Sequence, residues 1–539
     1  MNIFYLLPLL LSFAALPGDI NANYYIKIFA FGLFFIFMCF SLFIKEKANL
    51  NSCFSMSLAD VTILLLGGVY LYYCMGAFNI LDHSLPIVYI LFYFFLRLIH
   101  KRNWNGILMT LSPIIISIHL ILCFLQYISV FPNFNTFFRV GSSFGNPDML
   151  SAYLVVLLPF CYLGNKWKRI RIMIVLITVA LFFMLQSRTA IVAVVVITFV
   201  YLICQKMIAK KGITIILILI LLAMILLICW YPKSVLGRFY IWIVALSMIL
   251  NKPFGWGLYS FEKYYPEFQS RYTIENPEVV SLLNYDIVHS SYNEFLNIGV
   301  TLGIIGLLFY SAFVIYVLIL AYRMKSPLLF PLLAYQIISL FYFPFKIVPL
   351  TVLYILCCVS VVSAGNLSFL RLSFSSKLKS FFLCGIGVIV FSGFILSIYS
   401  YVYWQRATEQ SFSVGTHVNA AQSFRKCYPL LKNNGRFLIS YAELQYKLGD
   451  RQKAFTLMHQ AESFFSDILF LHNLAMIYEE EGNVIEAKKK LNIASNMSPN
   501  NIQILIAQMQ FLRRIGEYDE ACQVNNLLLH RKKGSVLWK

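Results

Sequence analysis

Thirteen stretches of the chain are apolar over a length close to that of a bilayer-crossing helix, and together they occupy most of the first 404 residues. They lie at about 3–17, 24–44, 58–78, 85–99, 106–131, 150–164, 170–185, 189–204, 212–231, 295–322, 328–343, 348–364 and 380–404. A perpendicular span needs ~20 apolar residues, and lipid offers the backbone no hydrogen-bond partner, so these runs read as membrane helices. Several are shorter than that, which leaves a pair of them open to being broken or re-entrant. Charged residues make up 12% of the chain, against ~25% in soluble proteins. The fold class expected is therefore all-α: a polytopic membrane protein of about 12–13 transmembrane helices. The stretch from Met1 to Pro17 lacks the basic flank of a secretory signal and reads as a short first span.

The net charge of +20 would point to nucleic acid in a soluble chain, but here the basic residues sort by membrane side. With Met1 in the cytoplasm, the connections after even-numbered spans hold 17 Lys and Arg. The short connections on the other side hold four: Lys27, Arg139, Arg188 and Lys346. The loop 232–294 carries five more, and at 63 residues it is long enough to escape the positive-inside rule. Thirteen spans place that loop and everything after Trp404 outside the cytoplasm. The twelve cysteines fall mostly in apolar runs and read as small hydrophobes, and no CxxC, HExxH, P-loop or GxGxxG motif occurs.

After residue 404 the chain turns polar and repetitive. Gly449, Gly482 and Gly516 recur at intervals of 33 and 34 residues, as do Ala454, Ala487 and Ala521. Ala442, Ala454 and Ala461 return as Ala475, Ala487 and Ala494, the small residues needed where the two helices of a hairpin cross closely. The pattern resembles tetratricopeptide repeats. It gives a membrane domain over 1–404, a linker helix over 405–434, repeats over 435–531 and a basic tail over 532–539. Such a solenoid offers a concave face to peptide or protein, or serves as a spacer or oligomerisation element.

Three outer connections carry polar residues. In the first, which contains Arg139, Asn146 and Asp148 are suited to an Asx turn and a helix cap. In the second, Arg188 stands in a break of a few residues between two very apolar helices, on the side depleted of basic residues. The third is the long loop. Its start, 236–249, reads as an interfacial helix ended by Pro253-Phe-Gly-Trp-Gly257, and its end runs His289-Ser-Ser-Tyr-Asn-Glu294. Ser291 and Glu294 fit a capping box, which leaves His289 free.

In this order, Gly145-Asn-Pro147, Ser187-Arg-Thr-Ala190, Gly237-Arg238, Trp242, Pro253-Phe-Gly-Trp-Gly257, His289-Ser-Ser-Tyr-Asn-Glu-Phe-Leu296 and Gly303-Ile-Ile-Gly306 resemble the O-antigen ligase superfamily, over about residues 1–404. That group comprises O-antigen ligases, O-antigen polymerases and bacterial O-linked oligosaccharyltransferases. The thirteenth span and repeat tail depart from the plain ligase and leave the acceptor open.

The resemblance implies an enzyme of the bacterial inner membrane with its long loop and tail in the periplasm. Its donor would be a glycan on undecaprenyl pyrophosphate, and its acceptor a hydroxyl of lipid A–core sugar or of protein Ser/Thr. Arg188 and Arg238 would engage the pyrophosphate through forked hydrogen bonds, and His289 would take the acceptor proton. Arg139, Asn146, Trp242 and Tyr292 would contact substrate. No cofactor or metal is implied, and no Asp-x-Asp is present to hold one. A polymerase shares the fold. A lipid-glycan flippase, the alternative from another class, would line an internal path with charge, whereas the spans hold few ionisable residues, Asp60 and His119 among them.

Overall fold

The computed structural model describes residues 10–15, 20–45, 52–99, 105–135, 137–163, 167–204, 232–277, 288–365, 370–374 and 376–536. Eleven of the thirteen expected spans are helices there. The span at 212–231 lies outside the described residues, and of 3–17 only 10–15 is described, with a 3-10 turn at Leu11–Phe13. Among the described residues, five helices are long and apolar enough to cross a membrane unaided, Glu294–Arg323 being 30 residues. Shorter apolar helices, such as Leu58–Cys74 and Pro147–Tyr162, complete the bundle.

The two ends of Leu58–Cys74 mark the two faces of the domain. At its start, Ser52–Met56 pairs antiparallel with Leu370–Phe374, a ribbon that the sequence reading did not anticipate. The ribbon joins the connections after the second and twelfth expected spans, which the charge distribution had placed on one side. At the other end, the Tyr73 hydroxyl donates to the Phe254 carbonyl of the long loop.

Asp60, one of the few acids in a span, is fully spoken for. It completes a capping box with Ser57 and accepts from Tyr93 at 2.9 Å. Arg97 grips it bidentately, Nε to Oδ1 and Nη2 to Oδ2, both at 2.8 Å. The guanidinium also donates to the Ser55 carbonyl and the Ser363 hydroxyl, so one buried cation ties the ribbon to three helices. His119, the other interior group, bridges the hydroxyls of Ser142 and Ser12 and stacks on Phe13.

The long helix Glu294–Arg323 is broken at Gly303, whose φ of 72° and ψ of −173° are not helical. The segment 253–257 fills the break. Trp256 and Gly257 N–H groups donate to the carbonyls of Val300 and Thr301, and Ile304 N–H donates to the Pro253 carbonyl. The backbones touch: a Cβ on Gly303 would lie 2.3 Å from the Phe254 carbonyl carbon, and one on Gly255 2.5 Å from the Gly303 nitrogen. Only glycine fits both sides of that crossing.

The loop helix Pro232–Asn251 buries Tyr240, Ile241, Val244 and Met248 against the rest of the loop. Its opposite stripe of Leu236, Phe239, Ile243, Leu246 and Leu250 is exposed at helical spacing, as an interfacial helix requires.

The helix Ser376–Ser411 runs out of the bundle and turns back as His417–Leu431. Three helix hairpins follow, beginning at Gly435, Ile468 and Ile502. Each turns at one of the repeat glycines, Gly449, Gly482 and Gly516, all with φ near 80° as a left-handed helix end demands. The array is docked on the membrane domain. Phe424, Phe437 and Leu438 share a core with Ile80 and Leu81, and Ser466 N–H donates to the Glu262 carbonyl. The tail therefore lies on the same face as the long loop.

Removing one partner of the buried pair strands the other's charge. Asp60→Ala is expected to destabilise the protein by about 3–5 kcal/mol, seen as a lowered melting temperature in nanodiscs, with Asp60→Leu/Arg97→Met recovering most of it.

Candidate active site

The first side of the site is built by the turn before Pro147. Gln126 Oε1 accepts from the N–H groups of Gly141 and Ser142, and Gly145 is left-handed at φ 68°. A Cβ on Gly141 would meet the Gly145 carbonyl carbon at 2.6 Å, so the turn is closed tightly. Asn146 then caps the helix Pro147–Tyr162, its Oδ1 accepting from Asp148 and Met149 N–H at 2.8 and 3.4 Å. That leaves the Asp148 side chain to point elsewhere.

Electrostatically it is coupled to two arginines. Arg188 is the first residue of Arg188–Cys204, set there by the left-handed Gln186 at φ 54° and the buried Ser187. Arg238 stands on the loop helix. The Asp148 carboxylate interacts with both guanidinium groups and takes a hydrogen bond from Ser187. Three segments distant in sequence thus bring two cations and one anion together at the loop face. Tyr292 borders the cluster: burial raises its phenol above the ordinary value, with Arg238 pulling down and Asp148 pushing up.

The segment 288–294 aims successive side chains in different directions. Ser291 pins it, its N–H and hydroxyl donating to Asn297 Oδ1 at 3.0 and 2.9 Å and its carbonyl accepting from Trp242 Nε1 at 3.0 Å. Trp242 is thus a strut between the loop helix and this segment. Asn293, with Oδ1 to Phe295 and Leu296 N–H, is the helix cap. The expected capping box of Ser291 and Glu294 is not formed, because the helix starts later and Glu294 is its first residue, buried at 7% exposure.

His289 faces the repeat domain. Its Nδ1 lies 3.5 Å from Nη2 of Arg436, which also reaches Glu262 at 3.3 Å. Burial holds the imidazole below its ordinary pKa; Arg436 and Lys346 lower it further, while Glu262 and Asp467 oppose them. It is therefore neutral, and free to accept a proton, at neutral pH. The charges that bear most on His289 are these, while those on Asp148 are Arg188 and Arg238. The structure groups the two arginines about Asp148 and sets His289 in a second cluster with Arg436 and Glu262.

Arg139 is committed to Tyr127, donating to its carbonyl at 2.6 Å with the guanidinium 4.8 Å from the ring centre. The sequence reading passed over Asp148, taken for part of a turn, and Arg436, whose place in a repeat gives no sign that it meets a residue 147 positions earlier. Among the described residues, no group of three or more His, Cys, Asp or Glu could hold a metal ion.

Residues 172–311 match the family model described as O-antigen ligase. The match supports a membrane glycan-processing function of the ligase or polymerase type. The matched region contains Arg188, Arg238 and His289 but neither Asp148 nor Arg436. No curated protein matches the chain. Two solved structures entitled as MamA are similar to 29% and 28% of it, over 86% and 92% of their own lengths, at 13% and 14% identity and TM-scores of 0.24 and 0.23.

The His289 cluster makes a two-sided prediction. In histidine-labelled protein followed by NMR, His289 should titrate below pH 6.5. Arg436→Ala should move it upward by removing a nearby positive charge, and Glu262→Gln should move it further down.

Proposed function

We propose that the protein transfers a glycan from undecaprenyl pyrophosphate to an acceptor hydroxyl on the periplasmic face of the bacterial inner membrane. The observation that carries this reading is the convergence of Arg188 and Arg238, from separate segments, on one acidic residue at the membrane edge. Two guanidinium groups against one carboxylate leave a net positive charge, suited to the leaving pyrophosphate. Transfer breaks the bond from the anomeric carbon to the pyrophosphate oxygen, so negative charge grows on that oxygen as the reaction proceeds. Fixed donors there stabilise the transition state more than the bound donor lipid.

His289 takes the acceptor proton as the oxygen attacks the anomeric carbon. An in-line displacement puts nucleophile and leaving group on opposite sides of the sugar, so a base standing apart from the arginines is consistent with this chemistry. Asn146 and Tyr292 border the donor site, while Arg139 and Trp242 support it from Tyr127 and Ser291. The periplasmic orientation rests on the 17 basic residues against four, and the tail shares the face of the long loop. The acceptor is lipid A–core sugar or protein Ser/Thr, and the placement of the repeat domain beside His289 favours protein.

A strain lacking this protein, complemented with variants, tests the reading. His289→Ala should lower transfer by ~10²–10⁴-fold, and Arg188→Ala and Arg238→Ala by ~10²–10³-fold each, with unchanged membrane insertion. Full activity of Arg188→Ala would overturn the site. Loss of polysaccharide from lipid A–core on gels identifies a ligase, loss of glycans from periplasmic proteins by mass spectrometry an oligosaccharyltransferase, and shortened lipid-linked glycan a polymerase.

A further inference from the structure

Next to Glu294 the membrane domain holds a half-open cavity of about 300 Å³. Its wall is apolar and aromatic, with Tyr89, Ile298 and Phe313 from helices that pack deep in the bundle. Its only charged lining residues, among those described, are Asp82, Glu294 and Lys346. Lys346 acts electrostatically on both carboxylates. Asp82 is held at the rim by the repeat domain, its Oδ2 accepting from Asn434 at 2.8 Å. Glu294, 7% exposed, has one oxygen, Oε2, that is buried and accepts no hydrogen bond among the described residues.

A buried acceptor without a donor, at the head of an apolar chamber, is the signature of a missing polar group attached to an apolar body. We infer that this cavity binds a single-chain amphiphile whose phosphate-free, hydroxyl-bearing head meets Glu294 and Asp82 and whose tail lies among Tyr89, Ile298 and Phe313. The chemistry separates it from the donor's anionic group. A phosphate here would meet two acidic side chains and a single ammonium, whereas at Asp148 it would meet two guanidinium groups and one acidic side chain. A sugar or polyol head supplies the hydrogen-bond donors that Glu294 lacks, and Lys346 can donate to its oxygens. The two sites have different linings and take opposite kinds of head. The inference does not rest on the transfer reading.

The test is photolabelling of the full chain in nanodiscs with decyl β-glucoside carrying a diazirine near the chain end. Decyl phosphate with the same diazirine, at the same mole fraction, is the comparison. The glucoside is expected to give saturable cross-links in Ile80–Ile99 and Glu294–Arg323, competed by unlabelled decyl glucoside but not by free glucose, and about tenfold above the phosphate probe. Glu294→Leu should weaken labelling about tenfold, and Leu85→Phe, which narrows the chamber from another helix, should reduce it while the fold is retained. Equal labelling by both probes, competition by free glucose, or unchanged labelling in the folded Glu294→Leu and Leu85→Phe proteins would overturn the proposal. Because the readout is binding alone, a transfer-dead Arg188→Ala protein that still labels separates failure of the catalytic reading from failure of this one.

Discussion

A helix inside a membrane domain cannot be interrupted unless other groups take up the hydrogen bonds that the break releases. The helix Glu294–Arg323 is interrupted at Gly303, and the backbone of 253–257 answers it with N–H groups for Val300 and Thr301 and a carbonyl for Ile304. This backbone clasp fixes the loop to the bundle. From it the loop helix runs back toward Arg238, and Trp242 on that helix holds Ser291, so the positions of Arg238 and of the 288–294 segment are tied to one crossing of two glycines.

The second organising fact is the division of charge into three groups. Arg188, Arg238 and Asp148 form a net positive group; Asp82, Glu294 and Lys346 line a cavity; and His289 with Arg436 and Glu262 stands toward the repeats. Such separation gives the arginine site and the cavity different charge. It also explains why a short segment is pinned so heavily by Asn297, Asn293 and Trp242. A shift there would rotate three side chains out of three different environments.

The repeat domain belongs to the same assembly. The Arg436–Glu262 ion pair is half exposed, and pairs of that kind contribute about 0–1 kcal/mol. Docking rests instead on the shared core of Phe424, Phe437 and Leu438 with Ile80 and Leu81, where each fully buried side chain contributes about 1.5–3 kcal/mol. The ion pair's significance is positional, since it holds a cation next to His289.

The amino-acid sequence by itself determined the helical membrane class and the repeat tail, and it offered an expected sidedness for the loops and the candidates Arg188, Arg238 and His289. Hydropathy, basic-residue asymmetry and a period near 34 are local or additive properties that survive without coordinates. Tertiary structure alone decided that Asp148 faces the arginines rather than only its own turn, that Glu294 lines a cavity instead of capping a helix, and that Arg436 reaches His289. It also revealed the ribbon of Ser52–Met56 with Leu370–Phe374. Each of these is a meeting of segments far apart in the chain, or a helix start displaced by one or two residues, and neither leaves a periodic trace. The glycines at 255 and 303 show both sides of this: their presence was plain in the sequence, but the reason for them, two backbones too close for a Cβ, exists only once the chain has folded.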